Sequence, residues 1–163
     1  MTPHTGGCLC GDIRYDASEQ PIRVTFCHCR FCQKVTGSAY AVEPIFNLSA
    51  LVIRRGNPRV YKHRSDGSGK LIHSHFCEGC GTRLYYTFER FEGLAGIHAG
   101  TFDNPNWFKC SADNSKHIFL SQARHGSIIP AGINTFQEHA TDNAGYPIKP
   151  TVYESHHMIA RDR

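Results

Sequence analysis

The chain has 163 residues, 40% hydrophobic and 20% charged, a composition that suits a globular domain and argues against disorder. Its net charge is +4 with the 11 histidines counted neutral, and its Lys and Arg residues are scattered, which weighs against a nucleic-acid-binding stripe. No apolar run approaches the roughly 20 residues that cross a bilayer. The N-terminal MTPHTGGCLCGD lacks a basic stretch and an apolar h-region, so a cytoplasmic setting with reduced cysteines is expected.

No segment sustains a helical period, and short alternating runs follow one another instead. Ile13 and Tyr15 share a face of a run from Asp12 to Ala17, and Ile22, Val24 and Phe26 alternate through Pro21–Phe26. Further strands are expected over Ser38–Phe46, Leu51–Arg55, Arg59–Arg64, Leu71–Phe76, Arg83–Phe88 and Gly93–Ala99. Gly56-Asn57-Pro58, Asp66–Gly69 and Asp103–Asn106 read as turns. A short helical turn is expected just after Cys32, and one more strand over His117–Ser121. Beyond Ser127 the patterning thins among Gly, Pro, Asn and His. The pattern predicts one mainly β domain with an irregular C-terminal arm, which packs on the domain or on a partner subunit such as a second copy in a homodimer.

Seven of the eight cysteines form three clusters: Cys8-x-Cys10, Cys27-x-Cys29-x-x-Cys32 and Cys77-x-x-Cys80. Thiolates at these spacings converge on one ion when the backbone between them turns tightly, and Gly11, Gly79 and Gly81 beside the cysteines permit such knuckles. A disulfide framework needs an oxidising compartment, and a thioredoxin-like redox pair needs βαβ patterning that is absent. Iron bound by four thiolates is the remaining rival to zinc. One partition closes a four-thiolate site from Cys8, Cys10, Cys77 and Cys80. It leaves Cys27, Cys29 and Cys32 with an open fourth position, the mark of a catalytic-type ion. The alternative enlists Cys110 or His28 as a fourth structural ligand. His28 lies between two ligands, which should turn it away from their metal. Cys110 stands alone, as packed thiols do.

The runs Gly6–Tyr15 (GGCLCGDIRY), Cys27–Tyr40 (CHCRFCQKVTGSAY), Phe76–Leu84 (FCEGCGTRL) and Ala99–Pro105 (AGTFDNP) resemble the glutathione-dependent formaldehyde-activating enzyme family, also called the CENP-V/GFA domain family. The resemblance runs from about Gly6 to Pro130 and keeps the order of the motifs, which sets the domain at residues 1–130 and the arm at 131–163. It implies an Mss4-like fold of small antiparallel sheets pinned by two zinc ions. One zinc is structural, on Cys8, Cys10, Cys77 and Cys80. The other is catalytic-type, on Cys27, Cys29 and Cys32. It also implies a carbon–sulfur lyase-type reaction that joins a glutathione-like thiol to a small aldehyde; the scattered charges and the lack of a long apolar run argue against nucleic-acid and membrane partners. Lys34 stands where many relatives carry arginine, so the cation is kept and the bidentate fork is not. Attack of a thiolate on a carbonyl leaves an alkoxide that needs a proton or a hydrogen bond. His28 and Lys34 are the nearest catalytic candidates in sequence. Two other readings compete: a zinc-stabilised module that binds a thiol or a protein without turnover, and a zinc enzyme that acts on another small electrophile.

Overall fold

The structure, a computed structural model, describes residues 3–160. It is mainly β, 39% strand and 10% helix. The strands in chain order are β1 (His4–Gly7), β2 (Arg14–Ala17), β3 (Arg23–Cys27), β4 (Ala41–Asn47), β5 (Leu51–Arg55), β6 (Arg59–Arg64) and β7 (Leu71–Phe76). There follow β8 (Arg83–Phe88), β9 (Leu94–Ile97), β10 (Ser115–Ile118), β11 (Ile128–Ile129), β12 (Asn134–Thr135), β13 (Thr151–Val152) and β14 (His157–Met158). One helix, α1 (Arg30–Thr36), joins β3 to β4. The chain divides into two compact units. The first is built from the residues up to Arg23 and from Glu43–Lys109, the second from Val24–Val42 and from Cys110 onward.

In the first unit β2 lies between β1 and β5, antiparallel to both, with Gly6 opposite Tyr15 and Tyr15 opposite Ile53. A second antiparallel set runs β4, β9, β8, β7, β6. The run through β8 and β9 places Tyr85 opposite Ile97, and both join Tyr15, Phe46, Leu84 and Phe102 in one buried cluster that also contains Cys8 and Cys77. Removal of each such large side chain from water contributes about 1.5–3 kcal/mol. The cysteines are therefore continuous with the core rather than hung on its surface.

Residues of the Ala99–Pro105 motif fasten this arrangement. Thr101 Oγ1 lies 2.7 Å from the buried Tyr15 hydroxyl, and Phe102 bridges to Gly6. Asp103 takes Arg14 and Thr5 as partners, so the strands on either side of the Cys8–Cys10 knuckle are tied to a segment almost a hundred residues later.

In the second unit β10 pairs parallel with β3 on one side and parallel with β12 on the other, and β13 adds antiparallel to β12. The β11–β14 ribbon is separate. The expected strand at His117–Ser121 begins two residues earlier and ends at Ile118. There Phe119 takes a left-handed conformation (φ 61°) and the chain enters a 3-10 turn, Leu120–Gln122. A non-glycine residue in this region costs about 1 kcal/mol, and the Phe119 N–H, bonded to the Glu138 carbonyl at 2.9 Å, helps to hold it. The described part of the C-terminal arm belongs to this unit. It is less irregular than its composition predicts, since β12, β13 and β14 all lie in it.

Candidate metal centres

Two groups of sulfur atoms gather, one in each unit: Cys8, Cys10, Cys77 and Cys80 in the first, Cys27, Cys29 and Cys32 in the second. Within each group the Sγ atoms all lie within 4.8 Å of one another. Measured spacings are 3.5 Å for Cys8–Cys10, 3.6 Å for Cys10–Cys77 and 3.5 Å for Cys27–Cys29. Four thiolates about 2.3 Å from one tetrahedral ion would stand about 3.8 Å apart, so the donor sets match that ion in kind and in spacing. Both groups could hold a metal ion.

The four-sulfur group sits on two knuckles. Gly11 (φ 81°) and Gly81 (φ 73°) both take the left-handed turn that lets the chain double back after Cys10 and Cys80. The Ile13 N–H donates to Cys8 Sγ at 3.2 Å, and the Leu9 N–H reaches Thr82 Oγ1 at 3.1 Å, which links the two knuckles directly. The Thr82 hydroxyl and backbone N–H pull Cys80 down to about 5. Cys10 is pushed up instead. The Asp12 backbone N–H, which favours its thiolate, is outweighed by the Cys8 sulfur and the Asp12 carboxylate. Such a split is what sulfurs competing for protons show, and a divalent cation that replaces the protons removes it.

The three-sulfur group is built at the entry to α1. Cys29 is its N-cap, and the Sγ accepts from the Cys32 N–H at 3.4 Å. This capping starts the helix at Arg30, two residues before Cys32, rather than after it as the sequence reading expected. Gly37 (φ 67°) closes the helix in a left-handed cap. Hydrogen bonds from the Cys27 and Cys32 thiols pull Cys29 down to about 3, which favours its thiolate. No histidine or carboxylate completes this group among the described residues. Neither His28 nor Cys110 is among the sulfurs gathered.

The two non-cysteine candidates part company. His28 is fully buried, with its Nε2 3.0 Å from Nδ1 of the equally hidden His117. Burial pushes both down to about 4, so both rings are neutral at neutral pH. Tyr40 packs on His28 at 4.8 Å, and Phe26 stacks on His117 at 4.5 Å. His28 Nδ1 and His117 Nε2 have no hydrogen-bond partner among the described residues. Lys34 is exposed and follows Cys32 by two positions, about 200° round the helix. It lines a cleft whose walls include none of the three cysteines.

Sequence reasoning missed the brace that holds this loop. Gln33 is buried, and its Nε2 donates to the His28 carbonyl and, at 2.8 Å, to the Gln122 carbonyl. Gln122 Oε1 in turn accepts from the Arg30 N–H at 2.9 Å. Cys27 itself is registered against Ile118, and the His28 N–H donates to the Ile118 carbonyl. The only available signal was the polar residue Gln33 within an otherwise cysteine-rich turn.

The chain is 28% identical over 102 residues to a Schizosaccharomyces pombe protein described as an uncharacterised lyase, covering 63% of this chain and 70% of that one. It also resembles a Rhodobacter sphaeroides protein solved by structural genomics, with a TM-score of 0.50 at 21% identity, over 61% of this chain and 88% of the other. That likeness concerns the mainly β fold alone. The model of glutathione-dependent formaldehyde-activating enzymes matches residues 3–122, a span that holds all seven clustered cysteines, and the chain belongs to that family.

Proposed function

We propose that this protein is a carbon–sulfur lyase-type enzyme that adds a thiol to a small aldehyde at the Cys27–Cys29–Cys32 group. The observation that carries the reading is the inequality of the two sulfur groups. Four sulfurs would satisfy a tetrahedral ion, and three would leave one position open. Family membership supplies the reaction class, and the lyase description of the fission-yeast relative is consistent with it.

Zinc bound by the three sulfurs would lower the pKa of a thiol in the open position and hold it as the nucleophilic thiolate. The chain's own residues keep that position open. α1 fixes Cys29 and Cys32 in one capping geometry, and Gln33 and Gln122 pin the loop between Cys27 and Arg30. His28 is turned inward to His117, which suits it to hold the loop rather than to meet substrate. Lys34 is, with Arg30, one of two exposed cations of α1, and only its long side chain would bring it from a cleft without cysteines to the developing alkoxide.

Metal analysis tests the first half of this scheme. Two zinc ions per chain are expected, one removed by a mild chelator and lost in Cys29→Ser. Proton NMR of glutathione and formaldehyde with the loaded protein tests the second half, and accelerated formation of the hydroxymethyl thioether is expected. Full zinc content without acceleration for any thiol–aldehyde pair would leave a binding module in place of an enzyme.

A further inference from the structure

The face of α1 that carries Lys34 holds more positive charge than the lyase reading needs. A cleft of about 410 Å³ is lined by Arg30, Gln33, Lys34 and Ser38 together with Arg124 from the turn after Leu120–Gln122. Three cations thus face one concavity, and no Asp or Glu lines it. The ion pairs among the described residues, Arg14–Asp103, Arg54–Asp16 and Arg59–Glu78, involve none of the three. Arg30 is held in place, because its Nη1 donates to Oε1 of the buried Gln33, whose amide is itself fixed on the His28 and Gln122 carbonyls. Part of the cleft is therefore preorganised, and no ion pair among the described residues neutralises its positive charge. A single developing alkoxide would need one cation, not three.

We propose that this cleft is a binding site for a compact dianion, either a phosphate ester or a dicarboxylate. Two guanidinium forks and an ammonium match two adjacent negative oxygens, and charge-assisted bonds of this kind are roughly twice as strong as neutral ones. The Ser38 hydroxyl and the Gln33 side chain complete a polar lining. A cleft of about 410 Å³ with three cations in its lining fits a small anion better than an extended polyanion.

The test uses the full-length, metal-loaded protein with inorganic phosphate and malonate as separate probes, followed by backbone amide NMR. Saturable shifts are expected at Gly37, Ser38 and Ala39 with a dissociation constant of about 1 mM or lower. The tighter of the two probes names the class. Arg124→Gln with Lys34→Gln should weaken binding by about tenfold or more, and Arg124→Lys, which keeps the charge and loses the fork, by less than Arg124→Gln. Lys62→Gln, the same charge change on β6 as Arg124→Gln alone, should leave the affinity unchanged. Absence of saturable shifts with both probes overturns the proposal. So does equal binding by the double variant, or equal weakening by Lys62→Gln.

Discussion

The two sulfur groups use the same atoms for opposite ends. The four-sulfur group is rooted in the core cluster of its unit through Cys8 and Cys77, packed among Tyr15, Leu84 and Phe102, while Cys10 is exposed, and its two knuckles are tied together through Thr82. The three-sulfur group caps a seven-residue helix and depends on side-chain amides for its shape. A metal in the first would act as a staple for a small core. A metal in the second would hold a position for a visitor, which requires that the protein, not a fourth ligand, fix the geometry.

The sharpest way to break this contrast is to remove one sulfur from each group. Cys77→Ser should lower stability by roughly 5 kcal/mol or more and leave little folded protein, because structural zinc contributes folding free energy directly. Cys29→Ser should cost only about 2 kcal/mol by thermal denaturation while it abolishes thiol addition. Equal losses of stability would erase the distinction. Next in size is Gln122→Ala, which removes the acceptor of the Arg30 N–H. A cost of about 1–2 kcal/mol is expected, with faster loss of the second zinc to chelator and no change in the first.

A smaller effect concerns acid. Burial, with Arg83 adding to it, pushes His98 in the first unit down to about 4 from the ordinary 6.5. Between those values the unfolded chain binds a proton that the folded chain does not. The stability due to neutral His98 is therefore complete above about pH 6.5 and is lost as pH falls toward 4. Urea titrations from pH 7 to 5 should show His98→Leu with a shallower acid limb than wild type by up to one proton. Smallest of all is Arg59→Ala. Its pair with Glu78 sits on the Cys77–Cys80 knuckle but is exposed on both sides, so the melting midpoint should not move.

Much of the first unit was legible in the sequence, because its strands alternate and its ligands cluster within a few residues. Leu51–Arg55, Arg59–Arg64, Leu71–Phe76 and Arg83–Phe88 all appear at their expected bounds. β1 was missed, since His4–Gly7 has two glycines and no apolar alternation and becomes a strand only by pairing with β2. The second unit was harder. Cys29 as a helix cap is unusual chemistry for that position, and it moved α1 across Cys32. The parallel pairing of β3 with β10 joins residues 91 apart and the Gln33–Gln122 brace residues 89 apart, and no local pattern announces either. The strands of the C-terminal arm are two residues long, too short for any period to register.

The β3–β10 pairing has a consequence for how the molecule is made. A ribosome delivers residues in order, and the four-sulfur group has all its donors once Cys80 has emerged. Cys27, Cys29 and Cys32 emerge before Cys77 and Cys80, yet Ile118 and Gln122, which shape their loop, follow some 90 residues later. Contacts of such long sequence separation form slowly and late. During synthesis Cys27, Cys29 and Cys32 thus wait longest for the residues that shape their loop, whereas the four-sulfur group has its donors about 40 residues earlier.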